Sequence, residues 1–515
     1  MIGVPGKASL AAGSGVINPM KTAVLRTLPL ALFLFAIPAS AVAGSLVDEA
    51  AQGLANRAEP VTWIEGSPTG AAWKSVIQTP HYQTDRDVGA ASVGMAFLAA
   101  YDTTGNEAYL KAASAAGDFL IAAQVPNESG RWPDYYDPSG PAPYGFTSFN
   151  DGAAGISDFL WRLFERTGDA RYQATALAGM DWIISKAQAP EGKSCPAMCF
   201  WHWQDPAGKG IYTGMGEGVA GIAWALNEFA QRRAGIDPVA AARFARYAQG
   251  AASWLEAQMV RVKLADGQDG AKMPEEPGAQ VYDTGFLSGS AGDAFLFYQL
   301  YLSTGRAQYR RDADLLFAWV RAEAESDTSC PGSKWPIQAR GLGHGLYATG
   351  FEEGSAGIGW VAIQAYKLLI RREPALAIMD LQLARAAGDW LLSPCAGYQR
   401  HEKAFWPEDQ GHQPVHTSLD SGAPGIGIFL RDLYDVTGAP AYRDGADDAQ
   451  RWLASVAFHD HNGAYWCEHI DNGNWHLCGD PSWHWGAGGI IDFAARLRGW
   501  PLDMPGEETG FARGR

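Results

Sequence analysis

Positive charge is what this sequence has least of. Charged residues make up 19% of its 515 positions, with 40 Lys and Arg against 56 Asp and Glu, for a formal net charge of −16. Nucleic acid and anionic membrane surfaces both demand clustered cations, so a nucleic-acid partner is excluded. Long apolar runs are scarce too. The one that stands out, Leu30–Ile37, is too short for a bilayer, which takes about 20 residues, so membrane insertion is not expected. With 47% hydrophobic residues the chain is not disordered, collagenous or a coiled coil. Glycine and tryptophan, by contrast, are plentiful at 61 and 20, as expected of a chain with many tight turns and aromatic-lined surfaces.

The N-terminus reads as an export signal. Within Met20–Ala43, Lys21 and Arg26 form a basic start, Leu30–Ile37 an apolar core, and Ala41-Val42-Ala43 a small-x-small cleavage pattern, placing cleavage before Gly44. The residues before Met20 look like an extension from an upstream start. Removing residues 1–43 takes away Lys7, Lys21 and Arg26 and no acid, leaving the remainder three units more negative. The expected location is periplasmic or secreted. All six cysteines then meet an oxidising compartment, where an even count suits disulfides. Cys195 with Cys199, and Cys467 with Cys478, are close enough to pair across a loop, which leaves Cys330 with Cys395. A zinc site at Cys195-x3-Cys199-x2-His202 is the alternative, and it lacks a second ligand pair at the usual spacing.

Internal periodicity organises the rest. A Gly-small-small-Gly signature recurs at Gly89-Ala-Ala-Ser92, Gly152-Ala-Ala-Gly155, Gly218-Val-Ala-Gly221, Gly289-Ser-Ala-Gly292, Gly354-Ser-Ala-Gly357, Gly422-Ala-Pro-Gly425 and Gly486-Ala-Gly-Gly489. Its first glycines are 63, 66, 71, 65, 68 and 64 residues apart. After Gly155, the stripe Ile156, Phe159, Leu160, Leu163 and Phe164 marks an amphipathic helix. That helix stops at Thr167-Gly168, and the same stop recurs at Gly105, Gly305 and Gly438. A second helix follows, as over Ala170–Lys186, and then a long polar and aromatic loop. Seven such hairpins predict an all-α, (α/α)7 toroid of inner and outer helices with short β-hairpins in its loops. The expected limits are a signal peptide over 1–43, a linker over 44–59, the toroid over 60–500 and a loose tail over 501–515. An open superhelical solenoid is the bland alternative, but the signature appears in every unit without polar capping repeats.

Seven Gly-x-x-Gly helix starts spaced in the sixties resemble the lanthionine synthetase C-like proteins. The zinc site of that family, on Trp-Cys-x-Gly and Cys-His-Gly, has no counterpart here: the matching positions read Phe351-Glu352-Glu353-Gly354 and Leu419-Asp420-Ser421-Gly422. Lanthionine cyclisation is therefore not expected. The chain also resembles exported seven-hairpin polysaccharide lyases of the glucuronan or alginate type in fold, export and loop character. That resemblance implies a polysaccharide or oligosaccharide substrate.

The loops are suited to such a partner. They hold Trp132-Pro-Asp-Tyr-Tyr136, Trp201-His-Trp-Gln-Asp205, Trp335, Phe405-Trp406-Pro-Glu-Asp409, Tyr465-Trp466, Trp475-His476 and Trp483-His484-Trp485. Indole and phenol rings stack on pyranose faces, which makes Trp201, Trp406 and Trp485 candidate substrate contacts; the alternative for each is a packing role. Within about ten residues before the glycines lie Glu217, Tyr282, Asp283, Arg340, His344, Tyr347, Glu352, Glu353, His416 and Asp420. The favoured expectation is a secreted β-eliminating lyase on a uronic-acid polysaccharide, with His344 or His416 as base, Tyr282 or Tyr347 as acid, and Arg340 to neutralise a uronate. A glycoside hydrolase would instead pair carboxyls from Glu217, Glu353 and Asp420. A carboxylate just before a helix also serves simply as a cap or as a partner of the helix dipole. Neither chemistry requires a cofactor or a metal ion, and a non-catalytic binding toroid is the third reading.

Overall fold

The computed structural model describes residues 39–61, 70–76, 81–137, 139–206, 210–339, 345–398, 405–410 and 412–499. Inner helices begin directly after the first glycine of each signature: α2 (Ala90–Thr104), α4 (Ala153–Thr167), α6 (Val219–Arg233), α8 (Ser290–Thr304), α10 (Ser355–Leu369), α12 (Ala423–Thr437) and α14 (Ala487–Leu497). Each packs on an outer helix. Six of these follow their inner partner in the chain: α3 (Glu107–Ala122), α5 (Ala170–Lys186), α7 (Pro238–Gln258), α9 (Ala307–Ala322), α11 (Pro374–Leu391) and α13 (Pro440–Ser455). The outer partner of α14 comes from the opposite end of the sequence, as α1 (Ala39–Ala55). Inner helices contact their neighbours in unbroken succession from α2 to α14 and back to α2, so the ring is closed. Strands are short and antiparallel, two to five residues each, and confined to the loops.

The segment expected as a linker over 44–59 is therefore mostly helix. Leu46, Val47, Ala50, Ala51 and Leu54 are buried and supply the apolar stripe that α14 needs. The expected cleavage point before Gly44 falls within α1, while residues 1–38 and the tail from residue 500 lie outside the described residues. No helix among the described residues is long and apolar enough to cross a membrane.

The signature has a steric cause. A Cβ at Gly155 would overlap the carbonyl oxygen of Phe149, and one at Gly357 that of Phe351, because the incoming loop lies directly against the first turn of each inner helix. At the far end, the threonines before the left-handed Gly105, Gly168, Gly305 and Gly438 donate to carbonyls four residues back. Loops are joined around the ring by threonine as well. Thr84, Thr147, Thr213, Thr284, Thr349 and Thr417, each five residues before a signature, donate to a carbonyl of the next loop at 2.6–2.8 Å.

The six cysteines pair as Cys195–Cys199, Cys330–Cys395 and Cys467–Cys478. Cys330–Cys395 ties the loop after α9 to the turn after α11, so it staples adjacent hairpins.

One inner-helix position breaks the pattern. Four residues after each first glycine stand Val93, Ile156, Ile222, Ile358, Ile426 and Ile490, but α8 carries Asp293 there. Asp293 is fully buried, neither of its oxygens has a hydrogen-bond partner, and burial pushes its pKa well above the usual range. The folded carboxyl is neutral, so folding takes up a proton at any pH above the unfolded value, and stability falls as pH rises. Asp293→Ile is expected to raise unfolding free energy at pH 7 by about 2 kcal/mol, with a smaller gain near pH 4. Urea melts at the two pH values check both.

Candidate functional site

All seven inner helices begin at the same end of the ring, and none of their glycine N-caps offers a side chain to the exposed amides. That end is held by a circle of backbone hydrogen bonds. The amides of Arg86 and Asp87 donate to the carbonyl of Asn150, those of Phe149 and Asn150 to Gly216, and those of Met215 and Gly216 to Leu287. Phe286 and Leu287 donate to Glu352, Phe351 and Glu352 to Asp420, Leu419 to His484, and His484 back to Asp87, all at 2.6–3.3 Å. Every acceptor stands two residues before a signature glycine.

Four side chains from this circle meet. His484 Nδ1 lies 2.6 Å from Asp87 Oδ1 and 3.2 Å from Glu352 Oε1, and its Nε2 lies 3.3 Å from Asp420 Oδ2. These residues come from the fifth, sixth, seventh and first signatures, four successive hairpins of the closed ring. Burial opposes a charge on His484, but Asp87, Glu352 and Asp420 together raise its pKa well above normal, so it is an imidazolium. Burial would also raise Asp420; the charge and hydrogen bond of His484, the charge of His416 and a bond from Ser418 instead hold it well below the usual carboxylate range. For Glu352 burial wins, and its pKa is pushed up to about 7 against the pull of His484. One imidazolium thus sits between a carboxylate that stays ionised and a carboxyl that keeps its proton to near neutrality.

More carboxyls surround this core. Glu353 accepts from the Ser288 amide through Oε1 at 3.1 Å, while its Oε2 is buried without a partner. Burial and then Asp283 push it up to about 8. Asp151 accepts from the Trp203 indole at 2.9 Å, and burial, Asp87 and Glu217 raise it well above normal. Glu217 is exposed beside its signature glycine. His416 Nδ1 is 2.6 Å from Glu468 Oε1. Burial opposes its charge, but the carboxylates of Glu408 and Glu468 beside it raise its pKa to about 10. His416 is therefore protonated near neutrality and unsuited to the role of resting base.

The other expected residues fall elsewhere. Arg340 and His344 lie outside the described residues. Tyr282 is buried under Lys272, whose Nζ is 3.7 Å from its ring centroid, and its hydroxyl donates to Gln280. Tyr347 donates to Glu325 at 2.8 Å and carries Lys334 over its ring, and burial and Glu325 push its pKa up to about 12. Neither tyrosine shares a contact with the axial carboxyls, so neither is placed as their acid partner. Trp201 and Trp406, expected as sugar platforms, are buried staples. With Trp73, Trp132, Trp335 and Trp466 they donate their indole N–H, at 2.6–2.9 Å, to a carbonyl in the last turn of an outer helix, where helical carbonyls lack partners. Trp485 alone of the three stays at the mouth, half-buried and edge-on to His484 at 4.8 Å.

Asp87 and His484 were not among the sequence candidates. Aligning the signatures and reading the column two residues before each first glycine (Asp87, Asn150, Gly216, Leu287, Glu352, Asp420, His484) would have found both.

Trp406→Phe is expected to lower stability by about 2 kcal/mol, by leaving the Leu391 carbonyl unpartnered and a small void, with KM unchanged. Trp485→Phe, at a half-buried position with no such bond, should leave the melting temperature in place. Thermal melts and saturation kinetics on both variants decide between packing and contact.

No curated protein matches the sequence. Among solved structures the fold is similar to a sugar epimerase from a ruminal bacterium, with a TM-score of 0.50 at 12% identity over 90% of this chain and 100% of that one. Nisin cyclase gives 0.49 at 12% identity, covering 81% of this chain and 88% of that one. Cellobiose 2-epimerase from Spirochaeta thermophila DSM 6192 gives 0.48 at 13%, covering 90% and 96%. At these identities the likeness is one of fold. The thiolate-held zinc of lanthionine synthetases does not fit the residues present, because every cysteine is in a disulfide and the corresponding positions carry Glu352, Asp420 and Ser421 around an imidazolium. Residues 270–497, which carry α8 to α14, match the family model described as lanthionine synthetase C-like protein.

Proposed function

We propose that the chain is an enzyme acting on saccharides, cleaving a glycosidic bond by general acid–base chemistry at the mouth of the ring. The observation that carries this reading is the placement of two carboxyls on opposite nitrogens of one buried imidazole, Glu352 at 3.2 Å and Asp420 at 3.3 Å, in surroundings that push the Glu352 pKa up to about 7 and hold that of Asp420 low. Paired groups pushed apart in this way are the usual mark of an acid and a base. Glu352 gives its proton to the departing glycosidic oxygen, and Asp420 takes one from the attacking water. His484 touches both carboxyls and returns the proton from Asp420 to Glu352 after each turnover. Trp485 offers a ring at the same place. The sugar epimerase that shares the fold supports a saccharide substrate.

Hydrolysis is the reaction this arrangement supports best. β-Elimination from a uronic-acid polysaccharide of the glucuronan or alginate type is the second reading. His416 favours it, as a buried cation able to neutralise a uronate carboxylate.

Purified protein incubated with glucuronan, alginate, pectate and neutral glucans, followed by reducing ends and ultraviolet absorbance, separates the two. Reducing ends alone are expected. Both signals on a uronate polymer would establish the lyase, and silence in both would leave a binding toroid. Glu352→Gln and Asp420→Asn should each lower kcat by about 10²–10⁴-fold. Activity should fall as pH rises through about 7, where Glu352 loses its proton.

We also infer export through the signal in Met20–Ala43, a location that suits three disulfides. Protein recovered from outside the cytoplasm should begin at Gly44 on N-terminal sequencing, a cut that leaves the buried stripe of α1 intact.

A further inference from the structure

A second group of side chains lies outside the axial cluster. The strand His412–His416 pairs antiparallel with Cys467–Asp471, which pairs in turn with Asn474–Cys478. The register sets His416 opposite His469, and His469 opposite His476. Residues directly opposite in a sheet share a face, so three imidazoles stand in a row, with ring centroids 5.4 and 4.8 Å apart. The Cys467–Cys478 disulfide clamps the hairpin that carries two of them.

Glu468 bridges the first pair. Its Oε1 is 2.6 Å from His416 Nδ1, and its Oε2 contacts His469 Nδ1. One donor atom from each of His416, Glu468 and His469 lies within 4.8 Å of the others. His416 is 7% exposed and Glu468 6%, whereas His469 is partly open to solvent, which leaves an ion a way in. On its far side His416 turns Nε2 toward Glu408 Oε2 at 3.5 Å, and that nitrogen is buried without an aligned partner. A carboxylate behind a histidine whose other nitrogen faces an ion is the usual way a metal-binding imidazole is oriented. Two imidazoles and one carboxylate form a donor set suited to borderline divalent metals.

We propose that His416, Glu468 and His469 bind a first-row divalent transition ion of the zinc type, with Glu408 orienting His416. The ion replaces the protons now shared between the imidazole nitrogens and Glu468. Bonds of about 2.0–2.1 Å in a tetrahedral site set donors roughly 3.3 Å apart, so the Glu468 contacts open by about 1 Å, and no donor pair needs to close by more than about 1.5 Å. This assignment is independent of the saccharide reading, because its readout is binding.

The test is titration of the chelator-treated full chain with Zn²⁺ by calorimetry, and with Co²⁺ by visible absorption. One equivalent is expected at micromolar affinity or tighter, with a Co²⁺ band of tetrahedral intensity. His469→Ala, at a half-exposed position, and Glu468→Gln, which keeps its shape, should each weaken binding by at least about 100-fold with unchanged circular dichroism. Asp87→Asn should leave the affinity within a few-fold. The proposal is overturned if the wild-type chain binds no stoichiometric ion, if both variants bind as wild type does, or if Asp87→Asn abolishes binding in their place.

Discussion

The circle of backbone hydrogen bonds two residues before each signature glycine is what the mouth of the ring depends on. It uses up amides and carbonyls that would otherwise need water, and it fixes seven loops at one level. Loops from distant parts of the sequence therefore present side chains to one place, and His484 can touch Asp87, Glu352 and Asp420 together. The glycines are the other half of the same constraint, since any side chain there would push the loop off the helix it caps.

Electrostatics at the mouth follows from that convergence. Seven inner helices aim their amide ends at it, which favours negative charge, and the loops supply Asp87, Asp151, Glu217, Glu352, Glu353 and Asp420. So many carboxyls cannot all ionise out of water. The structure resolves the conflict by keeping His484 positive, leaving Asp420 ionised, and holding protons on Glu352, Glu353 and Asp151. Acid–base competence is thus a result of crowding.

The seven-hairpin ring was legible in the sequence because its cause is steric and local: a Cβ that does not fit leaves a glycine, and the glycine repeats. Glu352, Glu353, Asp420 and His416 could be picked out by their distance from those glycines. Their charge states could not, because these depend on burial and on partners from other repeats. His416 reads as a base in sequence and is a cation once Glu408 and Glu468 surround it. Trp201 and Trp406 read as sugar platforms because loop tryptophans serve either purpose. Only the outer-helix carbonyls they reach reveal the staple. The helix α1 was hidden for a different reason: it belongs to the last repeat but precedes the first, beside a stretch with the pattern of an export signal.

That placement governs how the molecule is assembled in time. Six hairpins can form as soon as their own residues are made, since a short turn joins each pair. The seventh cannot, because about 430 residues of chain separate α1 from α14. At about 5–20 residues per second the wait is on the order of half a minute. Through that interval the stripe of Leu46, Val47, Ala50, Ala51 and Leu54 lacks the α14 face it packs on. Closure of the ring waits on that span, and α14 with α1 is, among the described helices, the one inner–outer pair with no turn joining its members.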